Sequence, residues 1–91
     1  VIVMRHISIQ YHKKFKKQYH LLPQPVQAKF DKRLRLFIKD PYAPQLRTHP
    51  LKGRFVGYWS INITGDVRAI YRQYGDTIII FVLIGTHSQL Y

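Results

Sequence analysis

Near its start the chain is crowded with β-branched apolar side chains: Ile2, Val3, Ile7 and Ile9. Such a run predicts a strand over residues 2–9. The period then changes. Tyr11, Phe15, Tyr19 and Leu22 recur at spacings of four, four and three, with Lys13, Lys14, Lys16 and Lys17 between them. That spacing predicts one apolar face of a helix. Pro23-Gln24-Pro25 ends it and opens a second helix, since proline is tolerated in a first turn. Val26, Phe30, Leu34, Phe37 and Ile38 form the second stripe. Lys29, Lys32, Arg33, Arg35 and Lys39 fall largely outside it, and Asp40-Pro41 ends it. A turn this short predicts an antiparallel helix pair.

Past residue 53 the period becomes two. In RFVGYWSINI, Phe55, Gly57, Trp59, Ile61 and Ile63 share one side of a pleat; Val56, Tyr58, Ser60 and Asn62 share the other. Thr64-Gly65-Asp66 is a tight turn, VRAIYRQY a strand, Gly75-Asp76 a turn, and TIIIFVLI the last strand. Three strands with two short turns make an antiparallel meander. The last run is apolar on both faces, which places it inside the sheet or makes its second face a docking surface. The order β-α-α-β-β-β predicts an α+β fold. An antiparallel sheet carries the two-helix hairpin on one face, and its other face is partly open. At 91 residues the chain is one domain, residues 1–91.

Charge narrows the partners. Fifteen Lys and Arg face four acids, all Asp, for a net charge of +11. Such a field draws polyanions, with nucleic acid first, an acidic protein second and a membrane surface third. With 46% hydrophobic residues the chain can still bury a core. There are no cysteines, which excludes disulfides, zinc–thiolate sites and thiol catalysis and fits a reducing cytosol. No apolar run reaches the ~20 residues of a membrane span, and the opening VIVMRHISI reads as no signal peptide. No H-x-x-x-H or carboxylate cluster suggests a metal, and no small-molecule cofactor is expected.

The polar residues of the second half carry the candidate chemistry: His49, Lys52, Arg54, Asp66, Arg68, Arg72, His87 and Tyr91. If their segments meet at one end of the sheet, they gather two imidazoles, a carboxylate and several cations. RNA phosphodiester cleavage needs that set. A base takes the 2′-OH proton, cations stabilise the crowded phosphorane, and an acid protonates the leaving 5′-oxygen. Histidine can do either transfer near neutral pH. Tyr91 can stack on a splayed base. Asp66 and Arg68 share a pleat face if the strand already includes Asp66, and Arg68 can also simply pair with Asp66 or Asp76. His6, His12 and His20 read as surface or helix-flank residues, and Tyr58 and Trp59 as core or rim.

These residues also carry a resemblance. His49-Pro50-Leu51-x-Gly53, Gly57-Tyr58, Asp66-x-Arg68-x-Ile70-Tyr71 and Gly85-Thr86-His87-Ser88-x-Leu90-Tyr91, in this order, resemble the RelE/ParE superfamily of type II toxin–antitoxin toxins, in its YafQ-like branch. The resemblance implies a bacterial, cytoplasmic, ribosome-dependent mRNA endoribonuclease without metal, held inactive by a cognate antitoxin. It implies catalytic roles for His49, Asp66 and His87 and a scissile-phosphate contact for Arg68. Lys52, Arg54 and Arg72 add RNA or phosphate contacts, and Tyr91 packs on the substrate base. Three positions depart from the pattern: Asn62 replaces a further histidine, Val67 an aromatic, and Leu83 a basic residue. Either Arg68, Lys52 and Arg54 take over the lost charge, or activity is reduced. Two other readings remain at this point, a ParE-like inhibitor of DNA gyrase and a weakened basic module that binds RNA or antitoxin. A basic groove with an apolar floor also suits an acidic, partly disordered antitoxin segment that folds on binding.

Overall fold

A computed structural model describes residues 6–91. Strand β1 is Ser8–Tyr11. Half of the strand expected over 2–9, residues 2–5, lies outside the described residues; residues 6 and 7 are not in a strand, and the pairing extends two residues past its expected end. Tyr11 therefore belongs to the strand, not to the helix. It still meets the apolar helical face, because its ring lies 5.2 Å from that of Phe15. Helix α1, Lys13–Leu21, starts at His12, whose Nδ1 accepts from the Lys14 amide at 3.2 Å. A side-chain acceptor at this position satisfies one of the free amides of a first turn. Helix α2, Gln24–Lys39, begins with proline in its first turn, as expected.

The remaining strands are β2 (His49–Pro50), β3 (Trp59–Asn62), β4 (Val67–Tyr74) and β5 (Ile78–Thr86). The sheet order is β1-β5-β4-β3-β2. The expected meander is present as β3-β4-β5, all antiparallel, while β1 adds parallel to β5 at one edge and the short β2 adds antiparallel to β3 at the other. The doubly apolar strand β5 is thus hydrogen-bonded on both sides, as its composition predicts.

The first meander strand is shorter than its alternation suggests. Gly53–Phe55 forms a single 3₁₀ turn, and Gly53 and Gly57 sit at φ 65° and 92°. Side chains other than glycine rarely adopt this region. These two glycines fold residues 53–58 out of the pleat and over the sheet. The face opposite the helices is therefore not simply open: Ile70, at its centre, is 0% exposed.

The core lies between sheet and hairpin. Phe81 is its centre, with ring centroids of Phe15, Phe30, Phe37 and Tyr71 between 5.5 and 5.9 Å away. Such tilted and edge-on ring pairs add to the area they bury. Next to Phe81 the β4–β5 register shifts: Tyr71 faces Phe81, but Ile70 faces Leu83. Val82 is the extra residue of a β-bulge, so both Phe81 and Ile84 point into the core.

Phe81→Ala should lower stability by about 3–5 kcal/mol, read in urea as a lower midpoint at unchanged slope. Burial, and then the nearby Tyr42, push the Tyr71 hydroxyl above the ordinary tyrosine value, and burial does the same for Tyr11 and Tyr19. A raised folded pKa contributes stability below the unfolded value of about 10 that is lost as pH rises above it. The protein should therefore lose stability progressively above about pH 10, and Tyr71→Phe should lose less, as measured by denaturant titration at stepped alkaline pH.

Candidate functional site

The bulge sets what faces away from the helices. Arg68 pairs with Gly85 on one side and Asn62 on the other, and His49 pairs with Ser60 one row along. Directly opposed residues share a face. His49, Asn62 and Arg68 therefore lie together on the side away from the hairpin. With Arg47 and Gly65 they line an open cleft of about 610 Å³.

His49 is fixed within this cleft. Its Nδ1 lies 2.7 Å from the Arg47 carbonyl oxygen. A carbonyl only accepts, so Nδ1 carries the proton and Nε2 of the neutral ring keeps its lone pair. The carbonyl is presented by an unusual backbone: Arg47 has φ 47° and ψ 44°. For a side chain other than glycine this left-handed conformation carries strain and recurs at functional sites. A 3₁₀ turn, Pro44–Leu46, anchored by the fully buried Leu46, holds it there.

Arg68 is differently occupied. Its Nη1 donates to the Thr64 and Val67 carbonyls at 3.1 and 3.2 Å, and Nη2 to the Gly65 carbonyl at 3.2 Å. It clamps the β3–β4 turn rather than pairing with Asp66. Asp66 itself precedes β4, which starts at Val67. The shared pleat face expected for Asp66 and Arg68 is therefore absent, and Asp66 sits exposed in the turn. The Thr64 hydroxyl accepts from the Asp66 and Val67 amides, at 3.3 and 3.0 Å, and shapes that turn.

His87 stands beside Asp66 through the backbone: its amide donates to the Asp66 carbonyl at 3.2 Å. It opens a one-turn helix α3, His87–Leu90, capped reciprocally. The Thr86 hydroxyl accepts from the Gln89 amide at 3.2 Å, and the Gln89 side chain accepts from the Thr86 amide at 2.8 Å. A Cβ at Gly85 would lie 2.9 Å from the capping oxygen of Gln89, so a side chain there would push that cap aside. The short helix folds back and packs Tyr91 against His87, the tilted rings 4.7 Å apart, and Phe55 meets Tyr91 edge-on at 5.6 Å. Arg54 braces this end by donating to the Leu90 carbonyl at 3.1 Å.

The candidates therefore form two adjoining groups at one end of the sheet. His49 and Arg68 share the cleft, and His87, Tyr91 and Arg54 gather around α3. Asp66 lies in the turn next to both. Lys52 is exposed just before the 3₁₀ turn over the sheet. Arg72 belongs to neither group; it lies toward the other end of β4. Arg47 is the residue that sequence reasoning missed. Its position two before His49 was the available signal, but φ and the path of its carbonyl are invisible in a linear pattern. Among the described residues no group of three or more His, Cys, Asp or Glu could hold a metal ion. No described helix is long and apolar enough to cross a membrane.

The profile of the bacterial toxin of type II toxin–antitoxin systems, YafQ, matches residues 7–91. YafQ from E. coli strain BL21(DE3) superposes with a TM-score of 0.80 at 24% identity, over 94% of this chain and 99% of that one. The E. coli DinJ–YafQ toxin–antitoxin complex gives 0.78 at 24%, over 96% and 99%. A YoeB/ParE toxin from Agrobacterium tumefaciens gives 0.77 at 24%, over 89% and 99%. At such identities the superpositions speak for the fold. No curated protein matches by sequence.

Thr86→Ala should remove the cap of α3 at a cost of about 1 kcal/mol. Hydrogen exchange should then rise at Gln89 to Tyr91 while protection in β4 and β5 is retained.

Proposed function

Because the chain belongs to the YafQ family of bacterial toxins of type II toxin–antitoxin systems, we propose that it cuts messenger RNA on the ribosome, in the bacterial cytoplasm, by metal-independent acid–base chemistry. The observation that carries this reading is His49, held as the Nδ1–H tautomer by the Arg47 carbonyl in a cleft it shares with two arginines. Its free Nε2 is a general base for the 2′-OH. As that proton moves to Nε2, the 2′-oxygen attacks phosphorus. His87, in its protonated form, gives a proton to the departing 5′-oxygen, leaving a 2′,3′-cyclic phosphate and a 5′-hydroxyl. Asp66, whose carbonyl accepts from the His87 amide, brings an exposed carboxylate to the same end of the sheet as a further proton acceptor.

Negative charge grows on the phosphorane oxygens, and a preorganised cation there is often the largest catalytic contribution. Arg68 gives three of its five N–H donors to carbonyls and holds the turn that carries Asp66, while its charge and remaining donors stay available to a phosphate in the cleft. Arg47, whose side chain lines the cleft without a hydrogen-bond partner among the described residues, supplies a second phosphate contact. Asn62, beside Arg68, can hydrogen-bond to the substrate but cannot move a proton. Tyr91, 43% exposed and packed against His87, offers a face to a base next to the cut. The net charge of +11 supports RNA, ribosome and an acidic antitoxin segment as partners, and the DinJ–YafQ complex supports the last by analogy of fold.

His49→Ala and His87→Ala should each slow cleavage by about 10²–10⁴-fold, measured by primer extension on a defined message in a purified translation system. Translation that stops while the message stays intact would overturn the reading and direct attention to a supercoiling assay for gyrase inhibition. Arg47→Gly separates backbone from side chain. Glycine accepts φ 47° without strain, so stability should hold or rise slightly, while cleavage should fall by about 10²–10³-fold. Arg47→Lys should restore part of it. Raising salt should weaken RNA binding steeply and the antitoxin complex only modestly; equal, shallow slopes would contradict the assignment.

A further inference from the structure

The sheet face that carries the cleft continues away from it as a ladder of π groups in tilted and edge-on contact. From His87 the steps run to Tyr91, Phe55 and Tyr58, with ring centroids 4.7, 5.6 and 6.3 Å apart. From Tyr58 the ladder passes to Arg72, whose guanidinium carbon lies 5.3 Å from the Tyr58 ring and 5.3 Å from that of Tyr74. Arg68 and Tyr74 are six positions apart on β4, about 20 Å of strand. The even-numbered residues of β4 share this face. The two glycines that lift residues 53–58 out of the pleat are what bring Phe55 and Tyr58 onto it.

The ladder is wet and flanked by cations. Tyr74 is 46% exposed, Arg72 is exposed and Tyr58 is half-buried. Beside Phe55 and Tyr58 runs a groove of about 310 Å³ that His12, Lys14 and Arg54 also line. The Arg72 guanidinium carbon lies over both rings, and a guanidinium plane, like an aromatic face, can stack on a base. Aromatic faces with flanking cations are the chemistry of sequence-tolerant single-strand binding, in which every base offers a π-face and the backbone meets positive charge.

We propose that Tyr58, Arg72 and Tyr74 form a second RNA-binding site, a stacking platform that holds single-stranded RNA beyond the scissile phosphate. Arg72 thereby acts through base stacking and not as the phosphate ligand its sequence suggests. The proposal rests on the RNA-cutting reading only for its choice of ligand, since binding here requires no chemistry.

The test measures binding of a short fluorescein-labelled 2′-O-methyl RNA, which cannot be cleaved by 2′-OH attack, to the full chain by fluorescence anisotropy. Tyr74→Ala and Tyr58→Ala should each weaken binding roughly 5- to 100-fold, the range that base stacking supplies. Tyr74→Phe and Tyr58→Phe should retain it. An otherwise identical RNA with abasic positions should bind wild type more weakly, and the difference should vanish in the Tyr58→Ala/Tyr74→Ala double variant. Tyr74 is the safer probe of folding because it is exposed, and a near-ultraviolet spectrum confirms its fold. Equal affinity for normal and abasic RNA would overturn the platform, since charge alone would then explain binding. So would alanine variants that keep RNA affinity but lose an acidic helical peptide, which would make this face a protein-docking surface. If His49→Ala fails to slow cleavage while abasic discrimination persists, the catalytic assignment falls and the platform stands.

Discussion

One extra residue in β5 governs how the rest of the molecule is arranged. Side chains alternate along a strand, so a single inserted residue exchanges its faces. Val82 is that residue. Before it, Ile79 and Phe81 point to the helices; after it, Ile84 does. Phe81 can therefore centre the aromatic core while Gly85, four residues on, lies opposite Arg68 on the other face. Without the bulge Gly85 would fall on the core face, and α3 would begin on the wrong side of the sheet. The same strand thus serves as core and as scaffold for His87 because its alternation is broken once.

Backbone carbonyls, more than side chains, organise the site. The Arg47 carbonyl selects the tautomer of His49, the Asp66 carbonyl anchors the start of α3 at His87, and the Leu90 carbonyl ties down Arg54. Three more carbonyls engage Arg68. In a chain with four acids against fifteen Lys and Arg, carboxylate partners are scarce. Backbone oxygen is the abundant acceptor, and it positions a cation without neutralising it. The field that attracts a polyanion is kept while individual side chains are fixed in place.

The face away from the hairpin combines both lessons. Its centre is buried under the 53–58 loop, because Ile70 is apolar and the glycines let the chain fold back over it. Its two ends remain accessible, one as the cleft at His49 and the other as the Tyr58–Arg72–Tyr74 stack. A loop that first protects an apolar strand also delivers two of the rings in the ladder, so stability and binding draw on the same segment.

Local chemistry was enough to read much of this from the sequence. Period and proline placement gave both helices, and tight-turn residues gave the β3-β4-β5 meander. The Gly85-Thr86-His87-Ser88-x-Leu90-Tyr91 motif singled out His87 and Tyr91, while the cap that Thr86 makes shows only in the structure. The meeting of the candidates at one sheet end could be stated from the sequence only as a condition, since strand pairing is long-range, and Arg72 lies toward the other end of β4. Only the tertiary structure decided the rest, and in each case a long-range contact chose between local options. Tyr11 joined β1 because β5 offered it a hydrogen-bonding edge. The strand before Trp59 gave way to a loop because Ile70 needed cover. Arg68 turned to carbonyls, and Arg47 entered the site through a left-handed backbone that no side-chain pattern encodes. The sequence by itself determined which residues seek burial and which carry charge; the packing around Phe81 and the bulge at Val82 decided which of them meet, because a one-residue shift in register exchanges the faces of every position beyond it.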